Sequence, residues 1–263
     1  MIRAPGADVF DSHASTWAEW RTSPWARLRY RLVAHILDRV LAELGGRCCV
    51  LDAGGGDGAD SVRLAEAGHE VTVLDHSEPF LRRAEAAAAA AGAGERLRTV
   101  RGDVVRLVDA GLPEFDLVLC HNVLQYLTDA EDAVRGLVDR ARVGGAVSLL
   151  APNPAMDVLA VAVRETDPAR GRTLLEASTV RSVTFDHEMR RLEADVVEQM
   201  LVECGCEVTH RFGIRCVSDL IGDNDLKSDA AFAADLERLE LKLCDREPYL
   251  RVAKFWQLVA RRS

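Results

Sequence analysis

The sequence predicts an α/β fold, a doubly wound sheet of seven mostly parallel strands, from two observations. Apolar, strand-like segments alternate with helical patterns, which is typical of a parallel sheet with right-handed crossovers; the first five lie near 48–53, 70–75, 97–101, 115–120 and 145–151. A glycine-dense turn at 54–58 follows the first segment and precedes a helical pattern that begins at Ala59. Because glycine lets the backbone turn tightly and lets a ligand approach it, this unit indicates a nucleoside-binding site.

Flanking segments add further elements to this core. Residues 1–45 predict an N-terminal helical lid, with docking of the same helix on the sheet as the alternative, and 46–263 form the main domain. Prolines interrupt the pattern over 151–188 and predict an irregular or mobile cap over the site, whereas 216–247 predict a helical insertion. The remaining predictions are a tight turn over 143–147, helices near 189–204 and 229–244, and strands near 206–214 and 249–260.

Composition and charge limit the classes of function. The chain has 263 residues and a formal net charge of −9, which mildly disfavours a nucleic-acid ligand because phosphate binding draws on a basic surface. It contains no apolar run of about 18 residues and no secretory pattern, so we expect neither a membrane span nor export. Seven cysteines, an odd number, favour reduced thiols in the cytoplasm. We expect no metal site, because Cys204-Gly-Cys206 lacks a second ligand pair, and the sequence specifies no oligomeric state.

Acidic residues close three successive strands. Asp52 ends the first strand, Asp75 the second and Asp103 the third. A carboxylate at the tip of the second strand can accept hydrogen bonds from both hydroxyls of a ribose. We therefore expect a cofactor site formed by these acids and by their neighbours Gly54, Gly55, Gly56, His76 and Val104.

Two alternatives to this cofactor site stay open at the level of the residues. The acids could be solvated loop residues, although three of them at successive strand ends make that improbable. Gly54, Gly56 and Ala59 also match the dinucleotide pattern G-x-G-x-x-G/A, so a nicotinamide-dependent oxidoreductase is an alternative.

The segment 52–58 resembles motif I of the class I S-adenosylmethionine-dependent methyltransferases. This resemblance implies a Rossmann-like fold and S-adenosylmethionine as the cofactor. It also implies that Asp52 supports the turn and the amino-acid end of the cofactor, and that Asp103 binds the adenine amino group. Residues 115–127 resemble the fourth strand of that fold and the loop beside the methyl group.

The chain resembles more particularly the tRNA 5-carboxymethoxyuridine methyltransferase family, which forms a methyl ester on a modified wobble uridine. The matching segments are 51–56 (LDAGGG), 121–124 (HNVL), 213–215 (GIR) and 244–249 (CDREPY). By this resemblance Arg29 contacts the carboxylate of the cofactor and Arg215 lies near the acid of the substrate. The chain departs from the family at 216–220 (CVSDL), where the family tends to carry an aromatic residue and a histidine. We therefore expect a relative with a changed acceptor.

Methyl transfer demands alignment more than acid–base chemistry, because S-adenosylmethionine itself carries the electrophilic methyl group. A carboxylate acceptor is already ionised and needs no general base, and Arg215 is sufficient to position it. A phenol or alcohol would need a base, for which His121 is the candidate; a cofactor-lining or structural histidine is the alternative. Tyr30 and Tyr126 are candidate substrate-binding residues, with helix docking and core packing as the respective alternatives.

Together these observations predict an S-adenosylmethionine-dependent methyltransferase that O-methylates a carboxylate-bearing small molecule by direct in-line transfer. A tRNA wobble uridine is the alternative acceptor. A module that binds the cofactor without catalysis is a further alternative from another class of function.

Overall fold

A seven-stranded sheet forms the centre of the computed structural model, which describes residues 6–182 and 184–263. The strands of the described residues are β1 (Cys49–Ala53), β2 (Glu70–Asp75), β3 (Leu97–Arg101), β4 (Phe115–His121), β5 (Ala141–Pro152), β6 (Thr179–Arg181), β7 (Glu188–Arg190), β8 (Cys206–Ile214) and β9 (Phe255–Arg262). The order across the sheet is β3-β2-β1-β4-β5-β9-β8, while β6 and β7 form a separate hairpin. Strands β1 to β5 pair in parallel and β9 runs antiparallel to both of its neighbours. The predicted doubly wound, mostly parallel sheet is confirmed.

Helices cover both faces of this sheet. They are α1 (Ala7–Ser12), α2 (Ala14–Arg21), α3 (Pro24–Leu44), α4 (Ser61–Glu66), α5 (Glu78–Ala90), α6 (Ala130–Arg140), α7 (Pro154–Val163), α8 (Pro168–Glu176), α9 (Ala194–Glu203), α10 (Asn224–Ser228) and α11 (Ala230–Leu243). Among the described residues, no helix combines the length and apolar character needed to cross a membrane.

The two faces of the sheet contact different helices because successive side chains of a strand point to opposite sides. Val50 of β1 packs in a core with Ile36 of α3 and Leu64 of α4, whereas Leu51 packs on the other face with Leu137 of α6 and Val197 of α9. The chain leaves β1 towards β2 on one side, and β4 lies on the other. Ligands of open α/β sheets bind at such a reversal, beyond the carboxyl ends of the strands.

The N-terminal segment has two structural parts. Ser23 caps α3 by accepting a hydrogen bond from the backbone N–H of Ala26, and the apolar side of α3 is buried in the core of the domain. Helices α1 and α2 instead lie at the carboxyl ends of the strands, where Phe10 contacts His76, which follows β2. The lid predicted over 1–45 stays a proposal that now concerns α1 and α2, and residues 1–5 lie outside the described residues.

The segment predicted as an irregular cap, 151–188, contains regular helices. Helices α7 and α8 each begin at a proline, and Asn153 and Asp167 cap them by accepting hydrogen bonds from backbone N–H groups of Ala155 (3.1 Å) and Arg170 (2.9 Å). Proline is favourable at the first helical position, because its missing N–H would be unpaired there anyway. The prolines thus mark helix starts, and the prediction of an irregular segment was wrong. The hairpin of β6 and β7 completes the cap, and 216–247 contains α10 and α11.

Two element boundaries also differ from the sequence prediction. The helix expected from 189 begins at Ala194, because Glu188–Arg190 pair with β6 across the hairpin. The last strand, expected from 249, begins at Phe255, because Tyr249–Val252 form a 3-10 helix. Strand pairing therefore overrides the local pattern at the first place, and a 3-10 helix replaces the start of the predicted strand at the second.

The turn predicted over 143–147 is a bulge within a longer strand. The pairing of β4 with β5 shifts between Phe115–Ala141 and Leu117–Ala146, and β5 continues on both sides of the shift. A bulge accommodates extra residues without ending the strand, so glycines here mark an irregular ladder and not the start of β5.

Candidate functional site

A cavity of about 650 Å³ opens at the carboxyl ends of the central strands. Residues from α1–α3, from the turns after β1 to β4 and from the cap line it. It brings together all the site residues predicted from the sequence, namely Arg29, Tyr30, Asp52, Gly54, Gly55, Gly56, Asp75, His76, Asp103, Val104, His121, Tyr126 and Arg215. The roles assigned to these residues stay predictions.

The turn after β1 leaves no room for a side chain at its first two glycines. Gly54 has a φ of +78°, and a Cβ there would lie 2.5 Å from Cγ2 of Val123. A Cβ at Gly55 would lie 2.5 Å from Cγ of Asp52. The backbone N–H of Gly54 donates to the carbonyl of Leu74 in β2 (2.7 Å), which ties the turn to the neighbouring strand. The turn is thus held closed, with its backbone exposed to the cavity.

Backbone donors hold the acids after β2 and β3. Asp75 accepts from the N–H of Gly56 (2.9 Å) and from the N–H of Ser77 (2.8 Å). Asp103 accepts from the N–H of Val105 (3.0 Å). Carboxylate oxygens keep acceptor capacity beyond one such bond, so both side chains can still receive ligand donors from the cavity.

Asp52 is a buried carboxyl beneath the glycine turn. Ser61 Oγ donates to its Oδ2 (2.6 Å). Burial and, after it, the nearby charge of Asp60 raise the pKa of Asp52 to about 7. A positive charge in the cavity would stabilise the ionised form of Asp52. A sulfonium cofactor with an amino group would supply such a charge.

A buried hydrogen-bond network runs from Arg29 into the sheet. Nη1 of Arg29, a residue only 3% exposed, donates to both carboxylate oxygens of Asp60 (2.9 Å each). Oδ2 of Asp60 pairs with Nδ1 of His121 (3.2 Å), and Nε2 of His121 pairs with Oγ of Ser148 (3.0 Å). Gln257 ends the network by donating to the same Oγ (2.9 Å).

Burial and ion pairing shift the pKa values of Asp60 and His121 in this network. Burial raises the pKa of Asp60, but Arg29 and His121 outweigh it and lower that pKa to about 2. Burial lowers the pKa of His121, against the effect of Asp60. Because both ring nitrogens of His121 have protein partners, the geometry favours the structural alternative over a general base for this residue.

Arg29 nevertheless keeps a free donor. Its Nε is buried and has no hydrogen-bond partner among the described residues. A buried, unpaired N–H of a guanidinium is costly unless a ligand satisfies it. Arg29 is thus suited to a ligand carboxylate, and the cavity here fits the amino-acid end of S-adenosylmethionine, with Asp75 and Asp103 available for ribose and adenine.

A second part of the cavity lining, here called the cationic end, lies beside the start of α3, one helical turn before Arg29. Arg215 is 5% exposed and pairs with Asp219 through Nε (2.7 Å) and through Nη2, while its Nη1 donates to the carbonyl of Trp25 (3.4 Å). Lys227, also 5% exposed, places its ammonium 5.4 Å from the centre of the Trp25 ring, and Lys254 donates to Asp157 (2.7 Å).

Sequence reasoning missed most of this cationic end. Arg164, Lys227 and Lys254 line the cavity together with Arg215, but they come from α7, α10 and the residues before β9. No local pattern assigns Arg164 or Lys227 to a site, and the basic residues around Lys254, which include Arg251, fit an ordinary solvated face equally well. Asp60 was missed as well, although its place just after the glycine turn was a usable signal.

The two tyrosines lie at different ends. The guanidinium of Arg29 lies 4.5 Å from the centre of the Tyr30 ring, so Tyr30 belongs to the glycine-turn side of the cavity. Tyr126 is largely buried on the other side, where its hydroxyl donates to Oγ of Ser182 (3.3 Å). Of the two, Tyr126 is the better placed to contact an acceptor.

Comparisons with known proteins agree with this geometry. Residues 50–145 match a family model described as a methyltransferase domain. The tRNA 5-carboxymethoxyuridine methyltransferase of Escherichia coli (strain K12) is 29% identical over 237 residues, covering 90% of this chain and 88% of that protein. The malonyl-[acyl-carrier protein] O-methyltransferase of Pseudescherichia vulneris is 39% identical over 113 residues, 42% of each chain.

A solved structure extends the likeness in fold to nearly the whole chain. The crystal structure of magnesium protoporphyrin IX methyltransferase from Synechocystis PCC 6803 with bound S-adenosylhomocysteine superposes with a TM-score of 0.63 at 18% identity, covering 96% of this chain and 95% of that one. The glycine turn, the three strand-end acids, the methyltransferase domain and this fold lead to one conclusion, and the nicotinamide alternative is set aside. The chain is a class I S-adenosylmethionine-dependent methyltransferase similar to the tRNA 5-carboxymethoxyuridine methyltransferases.

Proposed function

We propose that this methyltransferase esterifies a carboxylate of a small-molecule acid. The observation that carries the proposal is the cationic end of the cavity. Among the described lining residues at this end, four basic side chains, Arg164, Arg215, Lys227 and Lys254, accompany the acids Asp157 and Asp219. The Glu165–Arg170 pair beside them is neutral as a whole. Arg215 and Lys227 are buried, Lys254 is half-buried and Arg164 is exposed. An anionic ligand stabilises a cluster in which cations outnumber anions, most of all where its members are buried.

The names of two relatives support a carboxylate acceptor. A malonyl group and a carboxymethoxyuridine each carry a carboxylic acid, and these names belong to relatives that match 42% and 90% of this chain. The two acceptors otherwise differ in size and chemistry. Their shared feature matches the charge of the cavity here.

Esterification demands little proton chemistry from the protein. S-adenosylmethionine supplies an electrophilic methyl carbon, which the acceptor oxygen takes while the carbon–sulfur electron pair stays on sulfur. A carboxylate acts in its ionised form, so no general base is needed. Asp219 orients Arg215 through a bidentate pair and the carbonyl of Trp25 accepts from its Nη1, so one further N–H on each Nη, with Lys227, is left to position the acceptor. This account is consistent with a His121 whose nitrogens are both engaged.

A base-lability assay tests the proposal. The protein is incubated with methyl-labelled S-adenosylmethionine and a panel of carboxylic acids, and the products are treated with mild alkali. Methyl esters release volatile labelled methanol under these conditions, whereas methyl ethers and methylamines do not. Alkali-stable label on a hydroxyl or amine would contradict the proposal, and binding of S-adenosylhomocysteine serves as the control for a folded site.

A tRNA wobble uridine is the second candidate acceptor, favoured by the 29% identity over 90% of the chain. Charge weighs against it. Cap arginines pair locally with acids, as in Arg170–Glu165 and Arg181–Asp186, and the formal net charge is −9. A tRNA-binding surface needs cations free for phosphates. Total tRNA in the same assay, at low and high salt, tests this acceptor directly.

Location in the cytoplasm stays a prediction that rests on cysteine usage. All seven cysteines are free, and Cys49 alone of them is exposed. Free, mostly buried thiols are typical of a reducing compartment.

A further inference from the structure

An aromatic wall lines the cavity between His76, which follows β2, and Tyr126, which follows β4. It consists of Phe10, Trp17, Tyr126 and Phe185, all of which line the cavity. Phe10 stands edge-on to Tyr126 (5.6 Å between ring centres, 88°) and at 4.9 Å from Phe185, and Trp17 stacks on Phe185 at 5.5 Å and 28°. Phe10 and Tyr126 meet edge to face, whereas Trp17 covers one face of Phe185, and an edge-to-face pair of this kind is an arrangement that a further aromatic ring in the cavity can extend.

The cap contributes an apolar floor beneath this wall. Val161 and Leu174 come from α7 and α8, and Val180 and Met189 come from the hairpin of β6 and β7. None of these four side chains can bond a polar ligand group strongly. The acceptor side therefore favours a ligand body that is apolar and flat.

A buried polar atom without a partner lies beside the aromatic wall. Gln125 is 2% exposed and lines the cavity beside Tyr126, and its Oε1 has no hydrogen-bond partner among the described residues. A buried amide oxygen without a partner is costly by itself, so it indicates a ligand that brings an O–H or N–H donor to this position.

We propose that the methyl acceptor is an aromatic carboxylic acid whose ring carries a hydrogen-bond donor. Its ring lies against the aromatic wall, its donor bonds Gln125, and its carboxylate reaches Arg215 and Lys227. The transfer joins the carboxylate oxygen to the methyl carbon as the methyl–sulfur bond breaks with its electrons on sulfur, which gives a methyl ester and S-adenosylhomocysteine with no proton transferred. The inference rests on the proposed function and specifies its substrate class.

Three propanoates that differ only in the ring at carbon 3 test the aromatic wall and Gln125 separately. The probes are 3-(4-hydroxyphenyl)propanoate, 3-phenylpropanoate and 3-cyclohexylpropanoate, each assayed for alkali-labile methyl ester at saturating S-adenosylmethionine. We expect kcat/KM to be at least about tenfold higher for the phenyl acid than for the cyclohexyl acid, because only the phenyl ring is flat and aromatic. The hydroxyl should add a further factor of about five to ten through Gln125.

Matched variants connect these preferences to the wall. Phe185→Leu should reduce the phenyl-over-cyclohexyl ratio to about twofold or less, and Gln125→Met should remove the advantage of the hydroxyl while keeping the phenyl preference. Tyr249→Leu, an exposed aromatic outside the cavity, is the control and should change neither ratio. Affinity for S-adenosylhomocysteine is measured for every variant, so that a misfolded protein is recognised.

The outcomes distinguish this inference from the function on which it rests. Equal turnover of the phenyl and cyclohexyl acids, or a ratio that Phe185→Leu leaves unchanged, overturns the aromatic acceptor and leaves esterification intact. Ester formed on a short dicarboxylate such as butanedioate, with no turnover or binding of any aromatic acid, has the same meaning. Tight S-adenosylhomocysteine binding with no ester on any small-molecule carboxylate, whether or not tRNA is esterified, overturns the proposed function itself.

Discussion

The two ends of the cavity carry opposite charge. Asp52, Asp60, Asp75 and Asp103 surround the glycine turn, where Arg29 is the principal counter-charge, whereas basic side chains outnumber acids at the Arg215 end. A sulfonium cofactor with an amino group matches the acidic end, and a carboxylate acceptor matches the basic end. Methyl transfer then neutralises the charge on both partners. On the proposed function, this contrast in charge would separate the two ligands by electrostatics.

The largest effect is expected at the buried pair that supports the acidic end. Asp60→Asn leaves Arg29 buried without its counter-charge, and loss of one partner of such a pair costs about 3–5 kcal/mol in the free energy of unfolding. Urea denaturation of the cofactor-free protein measures it. Asp38→Asn, which breaks an exposed pair with Arg63, is the control and should cost less than about 1 kcal/mol. Equal effects of the two variants would mean that the Arg29–Asp60 pair contributes no more than a surface pair.

Gly54→Ala should destabilise the acidic end of the cavity through a steric clash. The new Cβ would lie 2.5 Å from Cγ2 of Val123 at a φ of +78°, and strain with overpacking costs about 2–4 kcal/mol. Gly68→Ala, at a φ of +99° with open space around its Cβ, carries the strain alone. Thermal denaturation and titration with S-adenosylhomocysteine should show the larger loss for Gly54→Ala. Identical losses in the two variants would mean that the contact with Val123 contributes nothing to the effect of Gly54→Ala.

At the basic end, Arg215→Ala should weaken the acceptor and spare the cofactor. We expect a loss of about 2–3 kcal/mol in acceptor affinity with unchanged binding of S-adenosylhomocysteine, because the arginine pairs a desolvated carboxylate. The variant leaves the Asp219 carboxylate without its partner, and that charge repels an anionic acceptor. The double variant Arg215→Ala/Asp219→Asn removes both charges and separates this repulsion from the loss of the arginine. Unchanged acceptor KM in both variants would exclude Arg215 from the acceptor site.

Asp52 should make the stability of the cofactor-free protein depend on pH. Its pKa is raised to about 7 by burial, so the folded state holds a proton that the unfolded state releases above about pH 4. This contribution to stability is present at low pH and is lost as the pH rises towards 7, by about 2 kcal/mol between pH 5 and 7. Asp52→Asn should flatten that part of the profile, and the exposed Asp109→Asn should not. A profile unchanged in Asp52→Asn would place the titration elsewhere.

The smallest effect is expected at Asp75, the counterpart of Arg215. Asp75→Ala should weaken S-adenosylhomocysteine by about 1.5 kcal/mol through loss of a charged acceptor, with acceptor KM unchanged. Calorimetric titration measures the first quantity and initial rates the second, with the exposed Asp235→Ala as control. If Asp75→Ala shifts only acceptor KM, the assignment of the two ends is reversed.

The residues of the acidic end could be predicted from the sequence better than those of the basic end, for a physical reason. The acidic end is formed by turns that directly follow three strands, so Asp52, Asp75 and Asp103 could be placed from strand periodicity alone, and β2 and β3 have the predicted bounds. The network of Asp60, His121 and Ser148 joins residues far apart in sequence, and nothing local predicts that it engages both nitrogens of His121. The cap was mispredicted because a proline breaks a helix in its interior but begins one at its first position.

The sequence by itself determined the sheet, the glycine turn and the acids that face a nucleoside cofactor, because strand periodicity and turn chemistry are local properties of the chain. Only the tertiary structure decided which distant side chains meet at the other end. Arg164, Arg215, Lys227 and Lys254 converge there because α7, β8, α10 and the entry to β9 fold over the same strand ends. The acceptor recognition proposed here rests on that convergence, and convergence is a property of packing that no single segment of the sequence contains.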